Sequence, residues 1–178
     1  MPTSVPASRS RAIARSDLET YKVLGAVVQF IPLPQEAGGR FCLMLGTIPA
    51  GGSVPLHSHA SYETFVVMSG TFDAYLDEGE APGWRPLAPG DAFCVAGEAR
   101  HAFRNLSQTP AVVLVFTTAA HGDFFREVGQ PIGGDEMPPG PPAPERIELF
   151  LRASGKAGHW LGTPEENARV GLSVPTGG

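Results

Sequence analysis

Three of the five histidines fall in patterns that suit a metal ion. The first pattern is Gly51-x5-His57-x-His59-x3-Glu63-x6-Gly70, and the second is Gly90-x10-His101-x3-Asn105. On a strand, residues two apart point to the same side, so His57 and His59 share a face. Glu63 has the same parity, but four residues of straight strand cover about 13 Å, too far for one ion. The chain is therefore expected to turn at Ala60-Ser61-Tyr62 and return Glu63 on the neighbouring strand. Two imidazoles and a carboxylate with open positions suit non-haem Fe(II), and also admit Mn, Ni, Co or Zn. His101 lies in RHAFRN, where it shares a face with Phe103 and Asn105. Adding it gives three histidines and one glutamate from two separate hairpins. HExxH is absent, which excludes a helix-borne zinc protease site.

The rest of the chain must position these groups. It has 178 residues, 42% of them hydrophobic, enough for one domain with a real core. The 22 glycines and 18 prolines far exceed ordinary usage and disfavour a helix bundle. A net charge of −5 with no basic stripe argues against nucleic acid and membrane surfaces as partners. No apolar run reaches the ~18 residues of a membrane span, and the N-terminal stretch lacks the apolar region of a secretory signal. Cys42 and Cys94 form no disulfide framework, so a cytoplasmic setting is expected.

Residues 1–20 read as an N-terminal arm, 21–120 as a β-barrel and 121–178 as a C-terminal extension. In the barrel, YKVLGAVVQFI reads as a strand pair kinked at Gly25. RFCLMLGTI, LHSH, TFVVMSG, TFDAYLD, DAFCVAG, RHAFRN and PAVVLVFTT follow as short strands between turns. This is the texture of an all-β barrel. Beyond it, HGDFFREVG forms a short helix with Asp123 near its start and Gly129 as its stop. PIGGDEMPPGPPAP reads as a linker. ERIELFLRA has Ile147, Phe150 and Leu151 at amphipathic helical spacing, with Gly155 as its end. The last twenty residues carry no strong signal.

The two histidine patterns resemble the cupin motifs. Gly51, His57, His59, Glu63 and Gly70 match the first motif at every defined position. Gly90, His101 and Asn105 match the second, with Ala96 and Glu98 standing where its Pro and Gly usually are. Gly97 is placed to supply that turn one residue earlier. The segment from Pro110 through FFREVGQP is similar to the tail of single-domain, quercetin-2,3-dioxygenase-like cupins. The resemblance implies a single cupin barrel of jelly-roll type with a metal near its mouth. It implies His57, His59, Glu63 and His101 as ligands of one divalent transition metal, Fe(II) first. It also implies dioxygenase chemistry on a small phenolic or enolisable substrate, with Glu63 taking the substrate hydroxyl proton.

Around that centre, Phe65, Phe103, Tyr75 and Phe116 are the expected pocket residues, though each alone is also ordinary barrel core. Cys42 and Cys94 are expected to behave as small buried hydrophobes. His121 and His159 lie outside both motifs and are expected at the surface or in a cap. Tyr62 is expected to hold the turn, and Asn105 to hydrogen-bond backbone. Exposed sheet edges suggest a homodimer. Two other functions fit the same ligands: an isomerase or lyase using the metal as a Lewis acid, and a non-catalytic small-ligand-binding cupin.

Overall fold

The computed structural model describes residues 10–34, 37–77, 82–133 and 142–173. Its first strands are β1 (Glu19–Val23), β2 (Ala26–Ile31), β3 (Phe41–Ile48), β4 (Ser53–Ser58), β5 (Glu63–Ser69) and β6 (Phe72–Leu76). They are followed by β7 (Gly83–Leu87), β8 (Ala92–Val95), β9 (His101–Arg104) and β10 (Ala111–Thr118). Beyond the barrel come α1 (Ala119–Val128), β11 (Gln130–Ile132), α2 (Pro144–Lys156), β12 (Trp160–Leu161) and α3 (Pro164–Arg169). Two antiparallel sheets result, ordered β11-β1-β2-β3-β10-β5-β8 and β12-β4-β9-β6-β7. This is the expected jelly roll, with short helices added.

Strict alternation builds its interior. Cys42, Met44 and Ile48 on β3, Ala111, Val113 and Val115 on β10, and Phe65 and Val67 on β5 all point inward. They meet Phe72 and Ala74 of β6 and Phe103 of β9 from the other sheet. The opposite parity of the larger sheet, Phe41, Phe116 and Met68 among it, stays exposed. Strand β7 was not foreseen in the sequence. It carries Pro86 and lies at a sheet edge, the place where a missing N–H is tolerated.

Two local expectations are corrected. The first concerns the turn before β9. Gly97 does not move the turn; Glu98 itself takes φ +68°, in the left-handed region where the cupin motif has Gly. Gly97 is needed for a different reason: a Cβ there would lie 2.5 Å from the Ala60 carbonyl oxygen. The Glu98 N–H donates to the His59 carbonyl at 2.8 Å, so this turn braces the backbone that carries His59. Left-handed backbone disfavours an L side chain by roughly 1–2 kcal/mol, and glycine's greater unfolded entropy returns part of that. Glu98→Gly is expected to stabilise by about 0.5–1 kcal/mol, a rise of ~1–4 °C in Tm by calorimetry. An unchanged or lower Tm would contradict the strain.

The second correction is the end of α2, which runs through Gly155 to Lys156. The stop is Gly158 at φ +73°. The His159 N–H bonds the Ser154 carbonyl at 2.9 Å, and the Gly158 N–H bonds Gly155 at 3.2 Å. This two-bond glycine cap turns the chain sharply. The tail, without a strong signal in the sequence, is ordered by the fold. Its described residues fold as β12 and α3, the latter opened by a Thr163/Glu166 capping box. Leu172 then buries with Leu56 and Ala102 against the outside of the smaller sheet. The expected linker begins within β11, and residues 134–141 lie outside the described ones.

Candidate metal centre

Strands β4 and β9 place His57 directly opposite His101, with ring centroids 4.1 Å apart. His59 follows one strand repeat on, its ring 5.2 Å from His101. The expected turn at Ala60-Ser61-Tyr62 is present, but it crosses between sheets. Glu63 therefore opens β5 in the facing sheet, not on the strand beside β4. It reaches the histidines across the barrel interior. Tyr62 holds this crossover, as expected: its carbonyl accepts from the buried Thr117 hydroxyl at 2.8 Å. Asn105 also acts as expected, its amide donating to the carbonyls of Ile48, Pro49 and Thr109.

The four groups converge. Glu63 Oε2 lies 3.1 Å from His59 Nε2 and 3.3 Å from His101 Nε2, and all three side chains are buried. Each motif histidine faces a backbone carbonyl through Nδ1: His57 to Pro55 and His59 to Ser61 at 2.8 Å, His101 to Ala99 at 2.9 Å. Nδ1 must donate there, which leaves the Nε2 lone pairs aimed into the cluster. Among the described residues, His101 Nε2 is buried without a hydrogen-bond partner. A lone pair facing a carboxylate oxygen is relieved by a proton or a metal cation between them. Ring nitrogens of His57, His59 and His101, one from each, lie within 4.8 Å of one another, as do candidate ligand atoms of His59, Glu63 and His121. This donor set fits a divalent transition metal.

The electrostatics agree. Burial pushes the Glu63 carboxyl upward, but His101, His121 and His59 around it outweigh that and hold it well below the usual carboxylate range. Burial, reinforced by His101, holds His57 well below the ordinary imidazole value, so it is a neutral donor. Burial lowers His59 as well, but the Glu63 carboxylate outweighs it and the net shift is upward.

His121 and His159 are neither surface nor merely capping residues. His121 is buried, and its Nε2 lies 3.3 Å from Glu63 Oε1, the carboxylate oxygen turned away from His101. Helix α1 starts two residues before His121, because Thr118 is its N-cap and accepts from the His121 N–H. The Thr118 hydroxyl also lies 2.7 Å from that of Ser61, tying the helix start to the crossover. His159 sits against Phe124, with ring centroids 4.4 Å apart, and 5.4 Å from His59. Burial, with His59 and His121 nearby, lowers it to about 4, so it is neutral. The Thr118-x2-His121 cap spacing was a usable signal for His121. For His159 there was none.

Above the cluster lies a cavity of about 180 Å³, lined by His57, His59, Glu63, His121 and His159 at its polar end. Phe65, Phe103, Phe124, Phe125 and Phe150 form aromatic parts of its wall. Two expected pocket residues are elsewhere, for reasons of strand parity. Tyr75 points outward between Trp84 and the C-terminal segment, and Phe116 packs on Phe41 and Tyr62 on the exposed face. Cys42 is buried as expected, whereas Cys94 is exposed.

Comparison with known proteins agrees with this architecture. The family model of the cupin domain matches residues 44–117, the stretch holding all four expected ligands. The RmlC-like cupin from Shewanella frigidimarina NCIMB 400 superposes with a TM-score of 0.53 at 17% identity, over 66% of this chain and 97% of that one. The polyketide cyclase RemF from Streptomyces resistomycificus gives 0.53 at 19%, over 79% and 99%. A predicted oxalate decarboxylase from Thermotoga maritima gives 0.50 at 19%, over 61% and 98%. No curated protein matches. Residues 44–117 thus match the cupin domain, and the jelly-roll fold is the one these solved structures share. Among the described residues, no helix is long and apolar enough to cross a membrane.

Proposed function

We propose that this cupin binds one divalent transition metal through His57, His59, Glu63 and His101 and acts as a dioxygenase on a small phenolic or enolisable compound. The observation that carries the substrate class is the cavity lining. Five phenylalanines and aliphatic side chains surround the histidines and Glu63, with Thr47 and Ser53 the other polar lining residues, and no Lys or Arg is among the described lining residues. Such a site favours a neutral, largely apolar ring with one oxygen directed at the metal, over a dicarboxylate or a polyol. Its volume is below the ~300–1,000 Å³ of drug-sized sites, which suits a compound of one or two rings.

A bound metal would lower the pKa of a coordinated hydroxyl and supply the redox chemistry; Fe(II) is the first choice, with Ni, Co, Mn and Zn as alternatives. The side chains do the rest. Glu63 directs Oε2 toward His59 and His101, and Oε1 keeps a lone pair beside its His121 contact to take the hydroxyl proton. Phe65 and Phe103 hold the ring and exclude water.

The test is oxygen uptake by protein reconstituted with Fe, Ni, Co or Mn, against catechols, flavonols and β-diketones. Uptake is expected to require substrate and to fall ~10²–10⁴-fold in Glu63→Gln. Silence in protein shown to hold metal overturns the dioxygenase. Anaerobic turnover by the Zn form would instead identify a Lewis-acid isomerase or lyase, and tight binding without product a ligand-binding cupin.

A further inference from the structure

We propose that His121 and His159 form a second polar subsite, separate from the metal ligands, that takes a second hydroxyl of the bound compound. The inference rests on the phenolic reading above and narrows it to substrates carrying two neighbouring oxygen functions.

Both imidazoles come from outside the cupin motifs and reach the same cavity wall. His121 arrives on the first turn of α1. His159 arrives through the register of β12 on β4: Trp160 pairs with Ser58 and Leu161 with His57, so His159 extends the ladder opposite His59. The glycine cap at Gly158 makes that approach possible by turning the chain out of α2. The two rings stand 5.8 Å apart, centroid to centroid, and both line the cavity.

Their hydrogen-bonding capacity is unspent. His121 directs Nε2 at Glu63 Oε1, which leaves its Nδ1 for a bound compound. Among the described residues, neither that nitrogen nor either ring nitrogen of His159 has a hydrogen-bond partner. Ring nitrogens without partners, side by side on one cavity wall, suit a hydroxyl, which both donates and accepts. Phe124 and Phe125 pack against these rings and hold their orientation.

The experiment uses the full chain loaded with redox-inert Zn(II), without oxygen, so that binding is read apart from turnover. Phenol and catechol are the probes, followed by calorimetry, with zinc content and Tm measured for every variant. His159→Phe is expected to weaken catechol up to about tenfold, the worth of one neutral hydrogen bond, while phenol stays within about twofold. His159→Gln, which keeps donor and acceptor, should restore much of the lost catechol affinity. If His159→Phe leaves both affinities unchanged, or weakens both equally, the subsite is refuted and the phenolic reading stands. If the wild-type protein holds zinc and binds neither probe, the phenolic reading fails and the subsite fails with it.

Discussion

His101→Ala is expected to strip most of the metal from the protein while leaving the barrel folded. His101 contributes one of the three imidazoles of the proposed ligand set, and its Nε2 is spent on no other partner among the described residues. Removing a group that merely orients a ligand typically lowers metal affinity ~10–100-fold, so losing a ligand should exceed that. The structural loss is small by comparison. One hydrogen bond, from Nδ1 to the Ala99 carbonyl, disappears, and β9 keeps Ala102 and Phe103 in the core. Stability should change by no more than about 1–2 kcal/mol. Elemental analysis after reconstitution and dialysis, with circular dichroism melting in parallel, reads both quantities. Full metal retention in a folded variant would refute the four-ligand set.

The second large effect belongs to a residue far from the metal. Asn167 is fully buried on α3 and latches the C-terminal segment to the strand that carries His57. Its Oδ1 accepts from the Leu56 N–H at 2.8 Å, and its Nδ2 donates to the carbonyls of Gly162 and Thr163 at 2.9 and 3.0 Å. Asn167→Ala orphans the Leu56 N–H and the Gly162 carbonyl, while the Thr163 carbonyl keeps the Asn167 N–H, destabilising by about 2–3 kcal/mol. A loss of that size should lower Tm by ~5–10 °C if the chain unfolds as one unit. The sharper readout is local. Release of this latch frees β12 from β4, so hydrogen exchange at Trp160, Gly162 and Leu56 should accelerate well before the barrel amides. Because β12 also presents His159 and Leu161 to the cavity, ligand affinity should fall with the protection. Unchanged exchange over residues 159–173 would show that Asn167 is not the latch.

By itself the sequence determined the barrel, the four converging side chains and the turn that joins them. Those features are local. His57-x-His59 shares a face because a strand repeats every two residues, and the distance argument that forces a turn before Glu63 uses only backbone dimensions. The same parity identified Phe65 and Phe103 as cavity residues, since they lie on the strands of Glu63 and His101 with matching phase. It failed for Tyr75 and Phe116, whose phase relative to a metal ligand was not given by any ligand on their own strands.

Everything that depended on distant register was decided by the tertiary structure. Which sheet receives β5 is set by β5 pairing with β10 and β8, some thirty to fifty residues away in sequence, and no feature near Glu63 announces it. His121 enters because helix α1 folds back from the end of β10, and His159 because β12 finds β4 about a hundred residues upstream. A tail poor in apolar residues gave no periodic signal. Its order comes from one buried asparagine and a capping box, which satisfy backbone groups and leave almost no trace in hydrophobicity. The four converging side chains were therefore legible in their spacing, while the wall of the cavity exists only once the chain has closed over them.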